Sequence, residues 1–126
     1  MSADFHFNSE FNRIEDIENI IDRYGYSYVY EFDVKLPNGK IAGKVGDTNA
    51  PRRREAEWAK AYKGYFPVHF GYVGTTDIDK DTFFRDYSIH AYGKQNLGWK
   101  QVQREDFPAD AHYTQEAYYG ANADNT

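Results

Sequence analysis

From Tyr24 to Val34 every second residue is large and apolar or aromatic: Tyr24, Tyr26, Tyr28, Tyr30, Phe32 and Val34 alternate with smaller or polar residues. A period of two is that of a β-strand, whose successive side chains leave opposite faces, so the run predicts a strand with one aromatic face. Pro37-Asn38-Gly39 then turns the chain, because Asn-Gly tolerates positive φ, and Ile41, Gly43 and Val45 bring it back as a second strand. A β-hairpin bearing that much aromatic surface needs a cover, and the flanking sequence supplies helices.

In FNRIEDIENIIDRYG, Phe11, Ile14, Ile17, Ile20 and Ile21 fall on one helical stripe, with Asp and Glu opposite and Gly25 at a stop position. Pro51 suits a first helical turn, and residues 51–63 (PRRREAEWAKAYK) form helix up to Gly64. That helix is basic at its start, against the macrodipole preference, so Arg52, Arg53 and Arg54 stand where positive potential collects. Pro67 to Gly74 reads as a third strand through Val68, Phe70 and Tyr72. Residues 80–93 read as a helix with Phe83, Phe84, Tyr87 and Ala91 inward, and residues 98–102 as a last short strand. Beyond Pro108 no periodicity is visible. The expected class is α/β (α+β), a small mixed or antiparallel sheet of three to four strands flanked by helices in the order α-β-β-α-β-α-β. Residues 1–25 hold the covering helix, 26–104 the core, and 105–126 an acidic, flexible tail.

With 40% hydrophobic residues, 12 Tyr and 9 Phe, the chain is too apolar for a disordered acidic polymer and has the makings of one packed domain. No apolar run approaches the roughly 20 residues that span a bilayer, and the first residues lack the pattern of a signal peptide, so a cytoplasmic protein without a membrane contact is expected. The absence of cysteine excludes disulfides and thiolate metal sites. A net charge of −5 argues against nucleic acid until it is divided along the chain. Residues 1–25 carry six acids and two arginines, residues 105–126 five acids and no base, and residues 26–104 thirteen Lys or Arg against nine acids. The basic centre is therefore able to meet a phosphate backbone.

Three features fall in one order: Tyr28-Val29-Tyr30 in the first hairpin strand, Lys44-Val45-Gly46 in the second, and Asp47-Thr48-Asn49-Ala50-Pro51 opening the arginine-rich helix. Together they resemble a divergent, phage-type or helicase-linked branch of the GIY-YIG endonuclease family, with the two triplets in the GIY and YIG positions. GDTNAPRRR is similar to the family's glycine, polar turn, proline and arginine-bearing helix. Phe84-Arg85-Asp86-Tyr87-Ser88-Ile89-His90 resembles its second helix, where an acidic residue binds the metal and in some branches a His follows. The chain departs from the pattern where Tyr28 replaces the first glycine, Lys44 the tyrosine and Asp86 the usual Glu. Trp58 stands four residues past Arg54, where a His is common.

The resemblance implies a Mg²⁺- or Mn²⁺-dependent hydrolase of DNA phosphodiesters with a GIY-YIG-like fold. Asp86 is then the metal ligand, since Mg²⁺ needs only one or two protein carboxylates beside water and phosphate, and His90 is its supporting neighbour. Arg54, with Arg53 as the alternate, offers two parallel hydrogen bonds to phosphate. Tyr30 positions or deprotonates water if a nearby cation lowers its pKa, and Lys44 supplies that cation or meets phosphate itself. Arg52, Lys60 and Lys63 complete the contact with the DNA backbone. Taken singly, each residue has a plainer reading: Tyr30 as core, Arg52 to Arg54 as a solvated helix start, Asp86 and His90 as an exposed helical pair. Two other functions fit the same residues. One is a catalytically silent DNA-binding module; the other is a protein-interaction domain whose aromatic strand and tyrosine-rich tail engage a protein partner or a larger host protein.

Overall fold

The hairpin forms from Tyr28 on, whereas Tyr24, expected in its first strand, is the last residue of the first helix, and Tyr26 lies outside the described residues. In chain order the elements are β1 (Phe5–His6), α1 (Ile14–Tyr24), β2 (Tyr28–Lys35), β3 (Ile41–Thr48), α2 (Pro51–Ala61), β4 (Gly71–Thr76), α3 (Ile89–Asn96), β5 (Lys100–Gln101), a 3-10 turn (Arg104–Asp106) and β6 (Ala117–Tyr119). The computed structural model describes residues 5–6, 14–24, 28–76 and 89–122. β2 and β3 pair from Tyr28 opposite Thr48 to Lys35 opposite Ile41. Their turn uses Gly39 at φ 84° and an Asn38 side chain that accepts the Lys40 N–H at 2.9 Å.

The sheet is antiparallel throughout, in the order β1-β4-β2-β3-β6-β5. An α+β class with an antiparallel sheet is as expected, but the sheet has six strands rather than three or four. β2 lies at its centre, and this changes the meaning of the aromatic alternation. Every residue from Tyr28 to Phe32 is buried, so both faces of the strand are covered. Tyr30, Phe32 and Val34 pack beneath Trp58 of α2 and Tyr62 just past its end, while Val29 joins Val45, Tyr118, Ala121, Tyr92 and Trp99 on the other side. Each fully buried ring contributes about 2–3 kcal/mol. Ile17 and Ile21, one turn apart on α1, close over Tyr28, and Arg52 on α2 bonds Glu18 at 3.0 Å and approaches Glu15 at 3.6 Å to join the two helices.

Two strand and helix bounds differ from the sequence reading. Strand pairing starts at Gly71 rather than Pro67, because the Phe70 N–H donates to Glu55 Oε2 of α2 (2.9 Å) instead of to a neighbouring strand. The helix expected over 80–93 is described only from Ile89, and it runs on to Asn96, where Gly98 at φ 72° and a Trp99 N–H bond to Gly93 O (3.1 Å) end it. Phe83, Phe84, Asp86 and Tyr87 lie outside the described residues.

The larger correction concerns the expected tail. From Arg104 to Asn122 the chain is part of the body: Phe107, Ala111, Thr114, Ala117, Tyr118, Ala121 and Asn122 are buried, and β6 inserts between β3 and β5. Periodicity missed it because β6 is three residues long and its neighbours are held by side-chain and turn bonds. Examples are Tyr62 Oη donating to His112 O (2.9 Å) and Tyr113 Oη to Val102 O (2.8 Å). Among the described residues no helix is long and apolar enough to cross a membrane.

Candidate functional site: a notch at the edge of β3

β6 pairs with β3 at Gly43 and Lys44, and the last backbone bond between them is Val45 N–H to Glu116 O at 3.0 Å. β3 continues to Thr48, still paired with β2, but past Val45 no strand among the described residues pairs with it on the β6 side, and the sheet has a notch there. Lys44 stands opposite Phe32 in the ladder and bends into this notch. Its Nζ donates to Val45 O (2.8 Å) and Glu116 Oε1 (3.1 Å), and it lies 4.9 Å from the Trp58 ring centroid and 5.4 Å from that of Tyr30. The side chain is 1% exposed. An ammonium so deeply placed needs compensation, and a carbonyl, a carboxylate and two aromatic faces provide it. Burial lowers its pKa, with Glu116 pulling the other way.

Tyr30 sits opposite Gly46, and its ring occupies the space that a Cβ on Gly46 would need, so only glycine fits there. Its hydroxyl accepts the indole N–H of Trp58 at 2.9 Å. Burial pushes the phenol up to about 12, and the Trp58 bond and the Arg54 charge offset only part of this. The expected role as a base is therefore not what the environment favours: Lys44 meets the face of the ring rather than its oxygen, and Tyr30 stays a protonated phenol. Trp58 holds the Tyr30 hydroxyl and covers Lys44.

His90 also enters the notch, but with partners that its sequence position did not suggest. Its Nε2 lies 3.2 Å from Glu116 Oε2 and its Nδ1 3.0 Å from Tyr118 Oη. Burial lowers its pKa to about 4, so the ring is neutral at pH 7. Against a carboxylate, which only accepts, the neutral ring donates from Nε2 and accepts the Tyr118 hydroxyl at Nδ1. Glu116 thus bridges Lys44 on one side of the sheet to His90 on the other, while remaining half-exposed itself.

The other expected site residues divide into those near the notch and those away from it. Arg54 is on the first turns of α2 with its guanidinium half-exposed, 3.8 Å from Glu57, and its charge is felt at Tyr30, Lys44 and Asp47. Arg53 is exposed on the same helix. Arg52 is exposed but engaged with Glu15 and Glu18. Lys60 and Lys63 are exposed at the far end of α2 and do not join the cluster. Asp86, the expected metal ligand, lies outside the described residues. Among those that are described, no three His, Asp or Glu side chains group as a metal cage.

Sequence reasoning missed Glu116, Tyr118 and Asp47. The first two fell in the expected tail. Asp47 belongs, in the sequence reading, to the segment opening the arginine-rich helix, although its place two residues after Val45 puts it on the same strand face as a core residue. Burial, with Glu116 adding to it, pushes its pKa up to about 6, and its buried Oδ2 has no hydrogen-bond partner among the described residues. The notch thus holds two cations, two carboxylates, a neutral imidazole and a fixed phenol, a set suited to binding a phosphate and moving a proton. A scan against protein-family models and searches of curated proteins and of solved structures each return no match for this chain.

Proposed function

We propose that the notch is the reactive centre of a DNA endonuclease that hydrolyses phosphodiesters with Mg²⁺ or Mn²⁺. The observation that supports this most is the buried Lys44 ammonium held by a half-exposed carboxylate. A core lysine paired only to stabilise the fold is a poor bargain, since a buried ion pair rarely outdoes an apolar residue of the same size. An incoming phosphate oxygen takes the place of Glu116 Oε1 at Lys44, and Glu116, with half its surface in water, has somewhere to go. Arg54 adds a planar fork that grips a second phosphate oxygen. Asp47, largely ionised at neutral pH with its pKa near 6, accepts the proton of the attacking water. Tyr30 keeps Lys44 in place from below. Asp86, which lies outside the described residues, would hold a divalent ion, and such an ion would supply Lewis-acid stabilisation of the developing charge.

A second reading, a silent DNA-binding module, is favoured by one fact: burial holds the Tyr30 phenol up at about 12, so the residue expected to act on the water stays protonated. Plasmid nicking with Mg²⁺ or Mn²⁺ against EDTA, combined with a gel shift in EDTA, separates the two. Cleavage that Arg54→Ala abolishes supports the nuclease, and a shift without cleavage supports the module. Neither cleavage nor shift overturns both and leaves a protein-interaction domain.

A further inference from the structure

Glu116 is held at both of its carboxylate oxygens. Oε1 accepts from Lys44 Nζ (3.1 Å), and Oε2 faces His90 Nε2 (3.2 Å). The backbone beneath is fixed too, with Glu116 O on the Val45 N–H (3.0 Å) and the Glu116 N–H on Thr114 Oγ1 (3.2 Å). The two side-chain bonds differ in kind. Lys44 brings a positive charge, whereas the His90 ring, its pKa lowered by burial to about 4, is neutral and brings only a hydrogen bond.

The ring is itself held in place. Tyr118 Oη donates to Nδ1 (3.0 Å), which leaves the ring proton on Nε2, where it meets Glu116. Tyr118 is buried with Trp99 stacked on it, ring centroids 5.5 Å apart, and burial holds its phenol up at about 12, so it keeps the proton that it donates. The Trp99 ring also occupies the space that a Cβ on Gly93 would need, which lets α3 and its His90 lie close to this end of the sheet.

On the proposed function a phosphate oxygen replaces Glu116 Oε1 at Lys44. Glu116 then loses its cation, meets a like charge and, being half-exposed, has an open path into water. The bond to His90 is what remains to hold it. Whether it stays matters to Asp47, whose hold on a proton is raised by burial and then by the Glu116 charge, and lowered by Lys44 and Arg54. We infer that His90, oriented by Tyr118, is a positioning residue: it keeps Glu116 and its charge at the notch after phosphate has taken Lys44, so that Asp47 still draws the proton from the attacking water. This rests on the reading of the notch as a phosphodiester site. A neutral donor suits the task, since a lysine or arginine in its place would hold Glu116 but cancel the charge that Asp47 feels.

The test follows the Asp47 carboxyl carbon by NMR across its titration near pH 6, in EDTA, with and without a twelve-nucleotide single-stranded DNA. The proteins are the parent, His90→Leu and His90→Gln, each checked for folding by circular dichroism. Without DNA, Lys44 still holds Glu116, and all three should titrate alike. With DNA bound, His90→Leu should titrate roughly half a pH unit or more below the parent, because a released Glu116 no longer adds its charge. His90→Gln, which keeps a neutral N–H donor near the Nε2 position, should stay with the parent. In Mg²⁺ the acid limb of kcat should move with the NMR titration while KM is nearly unchanged. A DNA-bound His90→Leu that titrates like the parent overturns the inference, and so does a shift of equal size without DNA, which a purely structural role would give. Both results leave the notch reading standing, provided that DNA moves the Asp47 signal in the parent. DNA that fails to bind the parent, or binds and leaves Asp47 unmoved, overturns the notch reading and the inference with it.

Discussion

Lys44 and Asp47 are the residues at which stability and function pull apart. Lys44→Met keeps the length of the side chain and removes the buried ammonium, while Glu116 is exposed enough to remain hydrated without it. The variant should be within about 1 kcal/mol of the parent or above it, and on the proposed function it should lose DNA binding at the notch. A thermal melt lowered by more than about 5 °C would instead make the ammonium a strut of the fold. Asp47 and His90 act on the pH dependence in opposite directions. Folded His90, near 4 rather than 6.5, refuses a proton that the unfolded chain accepts, so its contribution falls as pH drops from about 6.5 to about 4. Folded Asp47, near 6 rather than 3.8, accepts its proton early, so it costs stability above about pH 6 and that cost fades on acidification. In the parent the two largely cancel between pH 6 and 4. Asp47→Asn should be more stable than the parent at pH 7, by on the order of 2 kcal/mol at about 1.4 kcal/mol per tenfold change in proton affinity. The difference should shrink towards zero near pH 4. Denaturant unfolding at both pH values measures this, and a difference that stays constant across them would mean that the Asp47 carboxyl is not buried as described.

At the scale of elements, legibility followed local pattern. The hairpin, its Asn-Gly turn, α1 and α2 were all readable because a period of two or of 3.6, a turn pair and a proline at a first helical turn are signals carried by neighbours in sequence. The position of β2 at the sheet centre was not readable, since alternation gives the spacing of rings but not what covers the other face. Nor was β6, because three residues are too few to show a period and its place depends on partners about seventy residues earlier, Gly43 and Lys44. The same limit hid Glu116: half of the notch was legible through Tyr30, Lys44, Arg54 and His90, and the carboxylate that joins them was not. β6 also reverses the stability expected of the C-terminal segment. Deleting residues 110–126 removes buried Ala111, Ala117, Tyr118 and Ala121 and uncovers β3. The destabilisation should amount to several kcal/mol, a large share of the roughly 5–15 kcal/mol that holds a domain. The truncated chain should show no cooperative melt by circular dichroism at 25 °C and above. A native-like melt would show that the segment is a passive appendage.

Across the whole molecule, the acidic flanks and the basic centre are not independent blocks. Each flank lends carboxylates to a cation of the centre: α1 gives Glu15 and Glu18 to Arg52, and the C-terminal segment gives Glu116 to Lys44. If DNA meets the face of α2, those carboxylates compete with its phosphates. Glu15→Gln/Glu18→Gln should therefore tighten binding a few-fold at low salt, with the gain vanishing near 0.5 M, where exposed charges are screened within a few ångströms. Anisotropy at 50 mM and 500 mM salt checks this, and an unchanged low-salt affinity would place Arg52 away from the nucleic acid. The order of the strands also bears on how the protein is made. β6 is synthesised after β5 yet lies between β5 and β3. A chain still emerging from the ribosome therefore holds β3 with a free edge until residues 117–119 appear. An unpaired strand edge is a template for other chains. Premature stops and stalled nascent chains of this protein should then be scavenged or aggregate rather than persist as partly working forms.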